Sequence, residues 1–340
     1  MMKIDTGFGV GHLGSLDDII ASAKRAEAVG FDALWSSETQ HDPFLPLALA
    51  AAHTQRIHLG TGIAVAFARS PTTLAHLAWD LQKLSGGRFI LGLGTQVKAH
   101  VERRFGMPWD RPAARLREYI LAIRALWQCW QSGEKLNFRG EFFKLTLMSP
   151  FFNPGPIAHP HIPIYIAGVN ERLCQLAGEL CEGFHVHPFH TPKYLAEFVL
   201  PNVEIGLKQA GRARGDIQLA SAVFVIGGDT EEARAQRRES VRQQIAFYAS
   251  TPSYHTVFAM HGWRATAEAL SSLAARGCWE EMPALVSDAM LAEFAEEGAW
   301  AELPGKLMRR YAGLLDRIAY YFGPPDEAAR ATVHAFKAGG

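Results

Sequence analysis

Arg88-Phe89-Ile90-Leu91-Gly92-Leu93-Gly94 is the stretch on which the fold of this chain turns. It is a short, nearly continuous apolar run closed by glycine, the pattern of a strand buried on both faces as in a parallel sheet. It is the fourth of eight β-rich runs, which fall near residues 3–9, 32–37, 57–65, 88–94, 162–168, 183–188, 218–226 and 315–322. Longer stretches with helical spacing lie between them. In the first, Ser15 and Asp18 form a capping box, Leu16, Ile19, Ile20, Ala23 and Ala26 make one apolar stripe, and Gly30 ends it. Alternating strands and helices signal βαβ units. Eight strands with seven crossovers predict an α/β fold of the (β/α)8 TIM-barrel kind, with an open doubly wound sheet as the alternative.

The chain reads as one barrel domain over 1–340, with insertion segments at about 95–161 and 227–314, after strands 4 and 7. The first insertion carries an amphipathic helix on Leu116, Tyr119, Ile120, Ile123, Leu126, Trp127 and Trp130. A hairpin at Phe138-Arg139-Gly140-Glu141-Phe142-Phe143 and a Pro-rich loop from Pro150 to Pro163 follow. Trp79, Trp127 and Trp130 are expected in the core or at a dimer contact. Trp109 and Phe151-Phe152 are expected in a roof over the barrel mouth, with the segment around 142–155 governing substrate choice. The second insertion reads as several helices.

Composition narrows the function. The 340 residues are 48% hydrophobic and 20% charged, with 34 basic and 34 acidic side chains. A balanced chain has no global field to recruit nucleic acid or an anionic membrane, so small-molecule partners are expected. Cys129, Cys174, Cys181 and Cys278 form no CxxC pair and suit buried thiols in a reducing compartment. Met1-Met2-Lys3-Ile4-Asp5 lacks the signature of a signal peptide, and no apolar run reaches the ~18 residues of a membrane span. A cytoplasmic protein is expected.

In such a barrel the functional residues sit on the loops after the strands. These loops offer His12, the stretch Ser37-Glu38-Thr39-Gln40-His41-Asp42, Thr61-Gly62-Ile63, Gly94-Thr95-Gln96, Ala167-Gly168-Val169-Asn170, and His185, His187 and His190. A glycine at a strand end lets backbone N–H groups approach a phosphate or a flat ring, or simply allows tight packing at a barrel corner. Gly92-Leu93-Gly94-Thr95-Gln96 is half of a dinucleotide fingerprint, without its third glycine.

Three separated motifs carry a resemblance. Leu59-Gly60-Thr61-Gly62-Ile63 with Ser70-Pro71, Leu84 through Gly94, and Pro163-Ile164-Tyr165-Ile166-Ala167-Gly168 with Ala177-Gly178 and Gly183 together resemble the luciferase-like superfamily, in order and over nearly the whole chain. The nearest branch is the one dependent on coenzyme F420. The resemblance implies hydride transfer between a deazaflavin and a small organic substrate, and a homodimer. It implies a non-proline cis peptide at Gly62-Ile63 behind the coenzyme ring, and coenzyme contacts from Thr39, Thr61, Gly94, Thr95, Gln96, His100, Ala167, Gly168, Val169 and Asn170. The branch's sugar-phosphate dehydrogenases place an acid and then a histidine after strand 2. Here Glu38 is followed by Thr39 and the histidine is displaced to His41, so Glu38 and His41 are the candidate catalytic proton donors. His12, Trp109, His187 and His190 are candidates for the substrate pocket.

The alternatives are a reduced-FMN monooxygenase, a metal-dependent hydrolase and a non-catalytic flavin-binding protein. For the hydrolase, His185-x-His187 puts two imidazoles on one strand face, and His12, His41, His190 and Asp42 could join them. Against it, strand 1 ends without His-x-His and strand 4 without a bridging lysine, so no metal ligand set is assigned. A flavin-binding protein without catalysis would hold coenzyme and turn over nothing.

Overall fold

A computed structural model describes residues 2–9 and 14–338. Eight parallel strands form the barrel: β1 (Lys3–Gly7), β2 (Ala33–Ser36), β3 (His58–Thr61), β4 (Phe89–Gly94), β5 (Ile164–Gly168), β6 (Gly183–Val186), β7 (Gln218–Gly227) and β8 (Arg317–Tyr320). Each pairs with the next, and β8 pairs with both β7 and β1, which closes the ring. The expected TIM barrel is thus present, and the open sheet is not.

The first helix, Leu16–Val29, starts at the expected capping box: Ser15 Oγ accepts from Asp18 N–H, and Asp18 Oδ2 accepts from Ser15 N–H. Ile19, Ala23 and Ala26 are buried, whereas Leu16 at the stripe's edge is exposed. Gly30 closes the helix at a φ of 100°, a conformation that favours glycine. At the start of β4, Arg88 donates to the carbonyls of Ala51, Thr54, Ile57 and Ser85, tying that strand to the end of the helix Phe44–His53. The Ala51, Thr54 and Ser85 carbonyls are orphans of the kind a helix C-terminus must satisfy.

Three features depart from the sequence reading. The run at 57–65 is two strands: β3 stops at Thr61 and Ala64–Val65 resumes beside Leu93 and Gly94 of β4, although the Gly62–Ile63 peptide between them is cis, as the resemblance implied. The seventh crossover contains a strand as well as helices, since Ala295–Gly298 pairs with Phe224–Gly227 of the long β7. Its Ala-Glu-Glu-Gly sequence has no β pattern; an open edge on β7 recruits it. Finally, the Pro150–Pro163 loop does not roof the mouth. It runs down the flank, with Gly155 and His161 carbonyls accepting from Trp79 and Gln82, and it enters β5 at the opposite end. Phe151 and Phe152 are 88% and 63% exposed. From this insertion it is Thr95–Lys98, Trp109 and Arg111–Ala114 that line the mouth. Leu116, Tyr119, Ile120, Ile123, Leu126, Trp127, Trp130 and Trp79 are all buried, as expected. No helix among the described residues is long and apolar enough to cross a membrane.

Candidate active site

The lower barrel is filled by polar side chains that complete one another. Arg317 on β8 donates twice to Asp5 on β1, at 2.8 Å and 2.7 Å, with both side chains 2% exposed. Trp35 Nε1 donates to the same carboxylate at 2.9 Å. Gln218 Oε1 accepts from Arg317 and from the Tyr165 hydroxyl. Glycines make room for these rings: a Cβ on Gly60 would lie 2.3 Å from the Trp35 ring, and one on Gly183 equally close to Tyr165. Those two glycines serve internal packing rather than a ligand.

Above this floor the barrel opens into a cavity of about 1910 Å³ at the C-terminal ends of the strands. A TIM barrel normally fills this level with branched side chains. Here the wall includes Gly7, Gly62, Gly94, Ala167, Ala220, Ala222 and Ala319, whose small side chains leave room for the cavity.

Most of the loop residues singled out from sequence converge on it. Thr39, Gly62, Ile63, Gly94, Thr95, Gln96, Ala167, Gly168, Val169, Asn170, Trp109 and His187 all line the wall. Asn170 caps the helix Glu171–Leu180 through Leu173 N–H, so that helix presents its N-terminus to the cavity. Lys98, Arg111 and Arg172 stand on the same side.

The rest do not. Thr61 is fully buried, its hydroxyl donating to Gly92 carbonyl and accepting from Gly92 N–H, a cross-strand clamp. His100 is exposed on the short helix Lys98–Arg103, off the cavity wall. His190 is buried behind the wall, its Nδ1 against the His187 carbonyl at 2.9 Å. His12 lies outside the described residues. Neither candidate proton donor lies on the cavity wall. Ser37 and Thr39 line the cavity, but Glu38 between them points the other way: its carboxylate takes Val65 N–H at 2.7 Å and Arg69 at 2.7 Å and 2.9 Å. His41 is exposed and off the wall.

The histidines of β6 behave differently from one another. His185 lies in the floor between Trp35 and Tyr165, its Nε2 buried without a protein partner, and burial lowers its pKa to about 3. His187 faces the cavity, and burial, reinforced by His190, lowers it to about 4. Both are neutral at pH 7. Among the described residues no three His, Cys, Asp or Glu side chains form a group that could hold a metal ion.

Comparison with known proteins matches the family model for luciferase-like monooxygenases to residues 3–317. The chain belongs to the luciferase-like family. It is 43% identical to an uncharacterised protein of Mycobacterium tuberculosis, over 95% of this chain and 97% of that one. It is 31% identical to a 5,10-methylenetetrahydromethanopterin reductase of Archaeoglobus fulgidus, over 81% of this chain and 80% of the relative. Among solved structures it superposes on the coenzyme F420-dependent tetrahydromethanopterin reductase of Methanopyrus kandleri with a TM-score of 0.80 at 21% identity, over 99% of both chains. Luciferase-like proteins thus supply both the sequence kinship and the fold.

In this luciferase-like barrel the sequence reading missed the aromatic side of the site. Tyr248 and Tyr254, from the seventh crossover, and Tyr321, after β8, line the cavity beside His187. The Tyr248 and Tyr321 hydroxyls are 2.7 Å apart. The only sequence signal for the crossover tyrosines was their position in an insertion after a barrel strand.

Proposed function

We propose that this luciferase-like protein is an oxidoreductase that passes a hydride between a bound deazaflavin of the F420 type and a small organic substrate. One observation carries the reading: the cavity of about 1910 Å³ is roughly twice the upper end of a single-ligand site. It therefore has room for a coenzyme and a substrate together. The kinship with a methylenetetrahydromethanopterin reductase supports the same chemistry.

The chain's residues fit such a coenzyme. Gly62, Ile63, Gly94 and Ala167 would hold its ring system; a Cβ on Gly94 would press on Ile63 at 2.6 Å, so glycine keeps this wall flat. Thr39, Thr95, Gln96, Gly168, Val169 and Asn170 would hold the phosphate-bearing side chain. The first N–H groups of the helix Glu171–Leu180 have no intrahelical carbonyl and favour an anion. Lys98, Arg111 and Arg172 would meet its charged tail. When bound, the deazaflavin supplies a ring carbon that accepts or returns a hydride. The barrel orients the substrate against it and limits access of water. Glu38, held by Arg69, serves here as a brace for the β2 and β3 loops rather than as the proton donor.

The rival is a reduced-FMN monooxygenase, favoured by the description of the matched family. Titration of purified protein with F420 and with FMN, followed by absorbance, separates the two. Saturable binding of F420 with weak or no binding of FMN is expected; the reverse result refutes the deazaflavin reading.

A further inference from the structure

The cavity is electrically divided. Among the described residues of its wall, the charged side chains are Asp5 and Arg317, paired with each other in the floor, and Lys98, Arg111, Glu171 and Arg172, all after β4 or β5. The adjoining arc, built from the ends of β6, β7 and β8 and from the seventh crossover, carries His187, Tyr248, Tyr254, Tyr321, Phe322 and Gln244, with β6 paired directly to β5. Among the described residues of that arc no cation lines the wall to pair with a phosphate or carboxylate, and no anion to hold an amine.

These side chains support one another. His187 stacks on Tyr254 with ring centroids 4.4 Å apart and meets Tyr248 edge-on at 4.7 Å. Tyr248 is fixed through its hydroxyl to Tyr321. The His187 ring has a defined polarity, since its Nδ1 accepts from Phe189 N–H at 3.1 Å. A neutral ring so bonded carries its proton on Nε2. That N–H can donate one hydrogen bond to a ligand oxygen but brings no charge.

We propose that the His187, Tyr248, Tyr254 and Tyr321 wall is the substrate subsite and that it selects an uncharged, ring-bearing carbonyl compound or alcohol, whose oxygen accepts from His187 Nε2–H. This rests on the reading of the charged side as the coenzyme side. A phosphate or carboxylate buried against the aromatic wall would lose its hydration with no partner to replace it, whereas an aromatic ring gains from edge and offset contacts. The two sides thereby sort coenzyme and substrate by charge.

The test uses shape-matched probes on the purified full chain, with and without saturating F420: acetophenone, ethylbenzene, benzoate and phenyl phosphate, by calorimetry. Acetophenone is expected to bind alongside F420, at least about tenfold tighter than either anion. His187→Phe should weaken acetophenone by about fivefold, the worth of one neutral hydrogen bond, and leave ethylbenzene unchanged. His187→Gln, which retains an N–H donor, should keep the preference for acetophenone. Tyr254→Ala should weaken both neutral probes. The proposal is overturned if an anion binds as tightly as acetophenone, if acetophenone displaces F420, or if His187→Phe leaves the acetophenone-to-ethylbenzene ratio unchanged. Coenzyme binding is read separately by absorbance. Should the protein take FMN instead, the deazaflavin reading fails while the same ratios, measured with FMN bound, still decide the subsite.

Discussion

Glu38 illustrates how one residue's neighbours settle its role. It lies between two cavity-lining residues, yet its side chain is 5% exposed and bonded to Arg69, which also reaches Asp42 at 2.8 Å. With its carboxylate turned to Arg69 and to Val65 N–H, it is aimed away from the cavity in which a substrate would lie. Glu38→Ala would leave Arg69 half-buried with only the exposed Asp42 as partner. Since Arg69 keeps some solvent, the loss should be nearer about 2 kcal/mol than the 3–5 kcal/mol of a fully buried pair. Urea unfolding should show that loss, and the folded variant should keep coenzyme affinity within about threefold. A folded Glu38→Ala protein of normal stability that cannot turn over would restore Glu38 to catalysis. From sequence, Glu38 and His41 were legible only as titratable groups near a strand end; the direction the Glu38 side chain takes is set by Arg69 and Val65, which lie more than two dozen residues away.

At the scale of the element, β4 carries two glycines with opposite duties. A Cβ on Gly92 would lie 1.8 Å from the Thr61 carbonyl oxygen, a backbone atom of β3 with nowhere to go. A Cβ on Gly94 would meet only the Ile63 side chain, which can shift, but it would intrude on the cavity wall. Gly92→Ala should therefore destabilise the fold by about 3 kcal/mol or prevent its accumulation, whereas Gly94→Ala should fold with a smaller loss and bind coenzyme more weakly. Thermal melts and coenzyme titration of the two variants check this, and equal behaviour would refute the division. The run Arg88–Gly94 announced its strand plainly. It could not say which glycine faces a neighbouring strand and which faces a ligand, because that depends on register and on the break after Thr61.

Across the whole molecule, closure of the barrel brings the first strand against the last. Asp5 and Arg317, 312 positions apart, form a bidentate pair in the barrel floor. Asp5→Ala would strand a buried guanidinium and should cost about 3–5 kcal/mol, read as a lower urea midpoint; an unchanged midpoint would show that the pair is dispensable. The pair also separates floor from cavity, so its loss bears on the site above. What the amino-acid sequence determined alone is what local pattern encodes: eight apolar runs, the helices between them, the capping box at Ser15, the core face of the helix Pro112–Ser132, and the loops on which a site must lie. Tertiary structure decided the rest. It bored out the upper barrel by lining it with glycine and alanine, recruited Ala295–Gly298 to the edge of β7, sent the Phe151-Phe152 loop down the flank, and set an uncharged aromatic wall beside a charged rim. Periodicity reports on neighbours a few residues apart, whereas a cavity and its polarity arise from side chains that meet only when the ring closes.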